Sequence, residues 1–420
     1  MTSGDQNRDG GPTEYRAAGA RPRVAFAFRY GIADHAELYP MIPRLLRRLA
    51  EKFTVYYFGP NRRRFREELK IPGVRYVFVP FAVDRSRMRD KFFKALAWYF
   101  CLPWIGLYCR AKRMRLIWID ESALPGQTLL LSLSSGRPVM QTVADFFAEI
   151  YAEGSPWLKP FVHISRALDE AGWRRCICLL THTLACREYL IERGIPPGKT
   201  AMIRDAVLPE VFRPVAADHV RRRLGFGPDD VVLCHHGILH PNKGLRRIME
   251  WLPAAMRRDP RIKFLVIGSG PEYNPLQEAA VRGGIAERVV FTGWLPSHEE
   301  LNQHLNAADV GLVMRAGHYT DHFHVTGALI HSMMAALPVL AVRLKGICEI
   351  VTDGREGFLF DPESPPEFQQ KLQQLVNDRE LRRRMGRSAR AKAAQEFDVE
   401  KITGDLHRLI TRLSDVSVAT

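Results

Sequence analysis

The chain has few cysteines, and their spacing does not suit metal or redox chemistry. Seven cysteines occur among 420 residues, an odd number that excludes a complete set of intramolecular disulfides. One residue separates Cys176 from Cys178, whereas redox and zinc motifs place two residues between their cysteines. We therefore expect buried, free thiols in a protein of a reducing compartment.

The sequence also lacks the signatures of nucleic-acid-binding modules. It contains no zinc-finger spacing and no aromatic RNA-binding motif. Its net charge is nevertheless +15, which favours an anionic partner. We expect no nucleic acid as a partner and retain two anionic alternatives, phosphorylated small molecules and an anionic membrane surface.

No secretory signal is evident near residue 1. Residues 1–20 are polar and glycine-rich, which is typical of a disordered terminus. The first apolar run, 24–28, is too short for the core of a signal peptide. We interpret this run as the first strand of a folded domain and expect a cytoplasmic protein.

No apolar stretch is both long and free of charge. The most apolar one, 92–109, contains Lys94 and Pro103, and basic residues flank it on both sides. Its length permits a membrane span, but a span normally has its bases on one side. Aromatic residues with flanking bases are typical of a helix on an anionic lipid surface. Three interpretations stay open: an interfacial helix within 85–115 that makes the protein peripheral at the inner face of the cell membrane, a buried crossover helix, and a span.

The chain is rich in short apolar runs that alternate with helical patterns. This alternation predicts an α/β fold with parallel sheets and crossover helices. The runs of the first half are 24–28, 53–58, 76–79, 116–119, 138–143, 176–180 and 200–203. Those of the second half are 231–236, 263–268, 288–292, 309–313 and 338–342, with helices expected at 244–258, 274–282, 297–306 and 326–336.

The length suggests two domains. Pro209 and Pro214 interrupt the alternation, so we place the boundary near 205–225. The predicted organisation has four parts. They are a disordered terminus at 1–20, a first domain at 21–205, a second domain at 206–395 and a C-terminal helix at 396–420.

The second domain has glycines where its apolar runs end, and ligands of parallel sheets bind at the carboxyl ends of the strands. Gly268 and Gly270 permit a tight turn and a close backbone approach, although turn glycines also occur without a ligand. Lys243 opens a helix, where its ammonium either neutralises a diphosphate or lies in solvent. Thr326-Gly327 precedes an apolar helix whose first N–H groups suit an anion, although Thr326 also suits a simple N-cap.

These motifs, in this order, resemble those of family 4 of the retaining glycosyltransferases, which have the GT-B architecture. The resemblance covers roughly residues 22–415. It implies two Rossmann-like domains facing across a cleft, with a C-terminal helix that crosses back to the first domain. The motifs are Gly237…Lys243-Gly244, Ile267–Pro271, Phe291–Gly293, Ala336–Val339 and a Gly357–Leu359 turn.

The resemblance implies transfer of a sugar from a nucleotide sugar to an acceptor with retention of configuration. The first domain would bind the acceptor, and the second the donor. No cofactor and no metal are expected, because this fold stabilises the diphosphate with cations of the protein. The basic charge favours a lipid-linked or cell-surface glycan as acceptor. The implied donor-binding residues are Gly237, Lys243, Gly268, Gly270, Trp294, Leu295, His324, Val325, Thr326, Gly327 and His331. The candidate acceptor-side residues are Arg29 and His35, and the candidate catalytic ones are Asp34, Asp145 and Asp321.

The chain departs from the family at several of its functional positions. Phe323 and His331 occupy the places of two glutamates, of which the first commonly contacts the donor sugar and the second the ribose. Ile238 replaces an arginine, and Ala144 replaces a histidine. Asp34 caps the next helix if it does not serve the acceptor.

Two explanations for these departures remain. One is an enzyme that has rebuilt its site with residues such as Asp145, Arg315, Asp321, His322, His324 and His331. The other is a binding partner in a glycan assembly complex that has lost catalysis. A sugar-nucleotide epimerase of the same fold is a further alternative, and Asp321, His322 and His324 could also bind a metal.

Overall fold

The protein consists of two parallel sheets covered by helices, with both faces of each sheet buried. The computed structural model describes residues 21–29, 39–60, 70–79, 88–120, 124–144, 146 and 159–416. The seven-stranded first sheet has the order β3-β2-β1-β4-β5-β6-β7, and the six-stranded second sheet has the order β10-β9-β8-β11-β12-β13. All strand pairs are parallel, so the predicted α/β fold is confirmed.

Short strands form both sheets. Those of the first are β1 (Arg23–Ala27), β2 (Thr54–Pro60), β3 (Val74–Val79), β4 (Leu116–Ile119), β5 (Val139–Thr142), β6 (Cys178–Thr181) and β7 (Thr200–Met202). Those of the second are β8 (Val231–His236), β9 (Ile262–Ile267), β10 (Val289–Gly293), β11 (Val310–Val313), β12 (Val339–Val342) and β13 (Gly357–Phe360).

Helices connect the strands. Those of the first domain are α1 (Met41–Lys52), α2 (Met88–Ala111), α3 (Gln127–Ser135), α4 (Lys159–Arg175) and α5 (Leu184–Glu192). They are followed by α6 (Asp218–Arg223), α7 (Leu245–Arg258), α8 (Tyr273–Arg282), α9 (His298–Asn306) and α10 (Gly327–Met334). The last four are α11 (Lys345–Cys348), α12 (Pro365–Asn377), α13 (Arg379–Glu396) and α14 (Val399–Val416).

The hydrophobic pattern explains how the second sheet was predictable. Strands β8, β11 and β12 are buried at every position, which is the pattern that crossover helices on both faces impose. In this half, the predicted helices and strands agree with the structure to within two residues at each end.

The last helix joins the second domain back to the first. In α14, Ile402, Leu406 and Ile410 belong to the same buried cluster as β1 and α1. Arg44 of α1 donates to the Glu400 carboxylate at 3.0 Å. Because the ion pair is partly exposed, the apolar contact contributes most of the stability of this junction.

Three expectations need correction. Gly357–Leu359, predicted as a turn, begins the edge strand β13, where a Cβ on Gly357 would lie 1.9 Å from the Val339 carbonyl oxygen. All seven cysteines are free, but Cys348 is exposed rather than buried. In the described part of the chain, no helix has the length and apolarity needed to span a bilayer, which removes one interpretation of 92–109.

The loops after β8 and β9 depend on a backbone contact that tolerates no side chain. A Cβ on Gly270 would lie 2.3 Å from the Leu239 carbonyl oxygen. We expect Gly270→Ala to lower the free energy of unfolding by about 1–3 kcal/mol, because both backbones must move apart. Thermal and denaturant unfolding test this. Gly198→Ala is the control, since its Cβ meets no atom within 4 Å. Equal stability of the two variants would contradict the packing argument.

Candidate functional site

The loops at the carboxyl ends of β8, β9 and β10 are fastened to one another through their backbones. Gly237 donates its N–H to Ile267 O at 2.9 Å, and Gly268 donates to Gly293 O at 2.8 Å. A Cβ on Gly268 would lie 2.0 Å from the Gly237 carbonyl oxygen. The glycines therefore have a packing role that needs no ligand. They hold the three loops together at the carboxyl ends of the strands.

Lys243 belongs to the loop that follows β8. It ends the 3₁₀ turn Pro241–Lys243, and Gly244 then joins the turn to α7. The Asn242 carbonyl accepts the Ala316 N–H at 2.9 Å, which ties this loop to the one after β11. The Lys243 side chain is half-buried, so its charge acts on its neighbours through a partly desolvated medium.

A stack of aromatic rings lies next to Lys243. The His331 ring lies on Phe212 with centroids 3.9 Å apart and an interplanar angle of 3°. The His331 ring also stacks on His236, with a centroid distance of 5.2 Å and an interplanar angle of 11°. His298 approaches His331 to 6.2 Å.

The imidazoles of His236 and His331 are held neutral. Burial lowers the pKa of His331 to about 3, with a further contribution from the His298 charge. Burial also lowers the pKa of His236 well below its usual range, and the neighbouring histidines and Lys243 add to the effect. Among the residues that the structure describes, the buried atoms His236 Nε2 and His331 Nδ1 have no hydrogen-bond partner. Neutral rings with unsatisfied nitrogens can donate to or accept from a polar ligand without a net charge.

The amino end of α10 lies beside this stack. A Cβ on Gly327 would meet His331 Cε1 at 3.4 Å, so the imidazole covers the first turn of the helix. Thr326 is the N-cap, and its hydroxyl accepts the Leu329 N–H at 3.4 Å. Gly327 and Ala328 donate their N–H groups to no acceptor among the described residues. The cap and an anion site are therefore compatible, because they use different N–H groups.

Asp321, one of the predicted catalytic residues, is engaged within its own loop. The residue is 1% exposed, and Arg315 Nε donates to its Oδ1 at 2.6 Å. Its Oδ2 accepts the N–H groups of Gly317 and His318 at 3.0 and 3.1 Å. A carboxylate with both oxygens occupied in this way holds the loop after β11.

Phe323, in the place of the family's first glutamate, crosses to the first domain. Its ring lies 4.9 Å from Phe146 and 5.2 Å from Tyr189. The Phe323 carbonyl accepts the Thr183 hydroxyl at 2.9 Å. The carboxyl ends of the two sheets therefore meet through an apolar side chain, where the family has a carboxylate.

Glu349 makes a second contact between the domains. Its carboxylate accepts the N–H groups of Leu184 and Ala185, each at 2.8 Å, at the amino end of α5. Arg204 pairs with the same carboxylate at 2.7 Å. Both side chains are nearly buried, so this charge is paired as well as capped. The fixed contact lies at the same end of both sheets as the predicted site.

The acceptor side is only partly described. Asp34, His35 and Asp145 lie outside the described residues. Arg29 follows β1, and its N–H donates to Asp120 Oδ2 at 3.2 Å. Asp120 follows β4, so the two residues meet at the carboxyl ends of neighbouring strands.

Asp120 was missed at the level of sequence, although an acid directly after an apolar strand is a usable signal. Burial raises its pKa from 3.8 to about 7, and the charge and N–H of Arg29 oppose that rise. No residue in the described ranges hydrogen-bonds its buried Oδ1. Phe212, His236 and His298 were missed too, and only the position of His236 at the end of β8 hinted at a site residue.

The remaining predicted residues lie around the same loops. Trp294, directly after β10, is 61% exposed, whereas Leu295 packs partly against the core. Val325 is also partly buried against that core. The backbone of His324 lies over α11, where a Cβ on Gly346 would meet the His324 carbonyl oxygen at 2.9 Å. Within the described ranges, no group of three His, Cys, Asp or Glu side chains is close enough to hold a metal ion.

The buried Asp120 carboxyl gives a pH test. Since its folded-state pKa is raised, the folded protein holds a proton from about pH 4 to pH 7 that the unfolded chain releases, so stability falls as pH rises through that window. We expect Asp120→Asn to gain stability relative to the wild type as pH increases, by on the order of 2–4 kcal/mol across the window. Melting curves at several pH values measure this. A stability difference between Asp120→Asn and the wild type that stays flat across these pH values would contradict the burial argument.

Family models match both halves of the chain. Residues 13–206 match the glycosyl transferase 4-like domain, and residues 230–378 match the glycosyl transferases group 1 model. Solved structures share the two-domain fold. Sucrose-phosphate synthase from Thermosynechococcus elongatus superposes with a TM-score of 0.74 at 18% identity, over 94% of this chain and 100% of that one. HepE of Anabaena, solved in complex with UDP and glucose, gives 0.69 at 16% identity, over 92% and 99%.

Curated relatives match over shorter segments. The GDP-mannose-dependent alpha-(1-6)-phosphatidylinositol monomannoside mannosyltransferase of Mycolicibacterium smegmatis is 33% identical over 40% of this chain and 42% of its own length. The 2-deoxystreptamine glucosyltransferase of Streptomyces kanamyceticus is 26% identical over 57% of this chain and 61% of its own. The match thus spans about half the length of these relatives. With the two family models, the GT-B fold and the strand-end loops in agreement, the chain belongs to the group 1 glycosyl transferases.

Proposed function

We propose that this protein transfers a sugar from a nucleotide-sugar donor to an acceptor hydroxyl with retention of anomeric configuration. One arrangement carries the proposal. The amino end of α10, with two N–H groups that have no acceptor among the described residues, lies beside a stack of neutral imidazoles within electrostatic reach of Lys243. A helix amino end and an ammonium at the carboxyl ends of parallel strands suit a diphosphate.

The nucleoside part of the donor has partners nearby. His331 replaces the glutamate that grips the ribose in the family, and its ring is held by Phe212 at 3.9 Å. A neutral imidazole hydrogen-bonds a ribose hydroxyl without the full charge of a carboxylate. The exposed Trp294 offers an aromatic face for a base. HepE, which has the same fold, was solved with UDP and with UDP-glucose.

The transfer needs little from a protein base. The bond between the anomeric carbon and the diphosphate oxygen breaks, and the leaving diphosphate takes its electron pair. Lys243 and the N–H groups at Gly327 and Ala328 would stabilise that charge as it develops. The acceptor oxygen bonds to the anomeric carbon on the same face, and its proton passes to the leaving phosphate. Asp34 and Asp145 are proposed to assist on the acceptor side, where Asp120 is a further carboxyl.

The acceptor we propose is a lipid-linked or cell-surface glycan, met at the cytoplasmic face of the membrane. The net charge of +15 favours an anionic partner. One relative is, by its name, a mannosyltransferase of a phosphatidylinositol mannoside.

One observation favours the alternative of a binding partner without catalysis. Phe323 occupies the place of the carboxylate that commonly contacts the donor sugar, and it is buried against Phe146 and Tyr189 of the first domain. Such a protein would bind sugar nucleotides and turn none over. Purified protein incubated with donors and candidate acceptors separates the cases. A new glycoside supports transfer, binding without turnover supports the partner, and nucleoside diphosphate released without a glycoside supports an epimerase.

The donor site is tested first by thermal shift with UDP-, GDP-, ADP- and CMP-sugars, then by calorimetry with the best ligand. We expect Lys243→Ala to weaken donor binding by about 1–3 kcal/mol, the usual contribution of a charge-assisted contact. His331→Phe should also weaken binding, because it keeps a ring on Phe212 and removes the polar nitrogens.

Lys401→Ala is the control for this experiment, since Lys401 is an exposed cation on α14. Its donor affinity should equal that of the wild type. If Lys243→Ala binds the donor as tightly as Lys401→Ala does, the ammonium does not contact the diphosphate and the proposed site is wrong.

A further inference from the structure

The exposed apolar side chains of the protein are concentrated on three consecutive helices. Thirteen large hydrophobic side chains are exposed in the described part of the chain, and seven of them lie on α2, α3 and α4. A surface of this kind usually contacts another apolar phase. The seven, called here the apolar face, are Phe100, Trp104, Leu107, Leu133, Phe161, Ile164 and Leu168.

Helical spacing directs these side chains outward. In α2, Phe100, Trp104 and Leu107 recur every three to four residues and are 70%, 46% and 58% exposed. The opposite side of the same helix, with Trp98, Leu102 and Ile105, is buried in the core of the first domain. Helix α2 therefore buries one side in the core, as a crossover helix does, and exposes apolar side chains on the other side.

The three helices pack closely enough to make one surface. A Cβ on Gly106 of α2 would lie 2.0 Å from Ser134 Oγ of α3. A Cβ on Gly172 of α4 would lie 2.9 Å from the Leu129 nitrogen of α3. Such close approaches leave no room for a layer of side chains between the helices. The seven exposed side chains thus belong to helices that pack directly against one another.

Basic residues outnumber acidic ones on the three helices. No acidic residue occurs in 91–119 or in 124–144. Arg110, Lys112 and Arg113 are exposed where α2 ends. The two acids of α4 are engaged elsewhere, since Asp169 accepts the Gly126 N–H at 2.9 Å and Glu170 pairs with arginines. Within 91–119, 124–144 and the described part of α4, an anionic partner therefore meets exposed bases and no acid that is not already engaged.

We propose that the apolar face docks on the surface of an anionic lipid bilayer, with α2, α3 and α4 lying in the headgroup region. Bulky apolar and aromatic side chains bordered by bases are the composition that lipid interfaces select. A protein partner of matching charge would need acids opposite these bases, whereas anionic headgroups supply that charge along the whole face. The proposal rests on exposure and charge, and does not depend on the transferase activity.

Vesicle flotation of the full chain tests the proposal. We expect the protein to float with vesicles that contain phosphatidylglycerol in phosphatidylcholine, and to float poorly with phosphatidylcholine alone. The double variant Phe100→Ser, Phe161→Ser should lower partitioning by roughly tenfold or more, because large apolar surfaces leave the interface. Val281→Ser is the matched control, since Val281 is 68% exposed but lies on α8 of the second domain.

A second variant separates the charge from the apolar contact. Arg110→Gln with Lys112→Gln should weaken flotation on the anionic vesicles, and added salt should no longer weaken it much further. These two side chains are exposed, so the variant remains informative if the apolar one fails to fold. Donor binding should be unchanged in both variants, which separates loss of docking from loss of the donor site.

Three results would overturn the proposal. The protein could fail to float on either kind of vesicle, or the apolar variant could float as well as Val281→Ser. Light scattering could also show an oligomer that the apolar variant dissociates, in which case a second copy of the chain, rather than lipid, covers the apolar face.

Discussion

The buried ion pair between Asp321 and Arg315 is the constraint on which the site depends. Arg315 Nε donates at 2.6 Å to a carboxylate that also accepts two backbone N–H groups of its own loop. With both oxygens occupied, the Asp321 carboxylate restricts the conformation of the loop after β11. That conformation sends Phe323 into the first domain and begins α10 at Gly327 with its amino end beside His331. The interdomain contact and the proposed anion site thus both depend on the conformation of the loop after β11.

The candidate site combines positive potential, at Lys243 and the amino end of α10, with the neutral side chains of His236 and His331. Burial holds His236 and His331 uncharged, so Lys243 and the helix amino end supply the positive potential. A donor that carries a diphosphate would place its charge near Lys243 and the amino end of α10. Its ribose would lie against neutral rings, whose desolvation costs less free energy than that of a charged group. The apolar contact at Phe323 brings the two domains together at the same end of the sheets, which suits an acceptor delivered to that edge.

Sequence reasoning reached the fold because buried strands and their glycine ends follow simple periodicities. Strand β8 and helix α7, for example, were predicted to within one residue. The residues of the site could not be predicted in the same way, because side-chain contacts between distant segments leave no local pattern in the sequence. Phe212 and His331 stack although 119 positions separate them in the sequence. Asp321 was placed on the right loop, but its partner Arg315 and its burial are properties of the folded chain.

Equilibrium donor binding by Asp321→Asn, measured together with its melting temperature, tests the central claim most directly. Asparagine keeps the shape of the side chain and leaves the Arg315 charge without its buried partner. The account predicts that donor affinity and stability fall together, the stability by about 3–5 kcal/mol. If turnover were lost while donor affinity and melting temperature stayed at their wild-type values, Asp321 would be a catalytic carboxylate and the account of this loop would be contradicted.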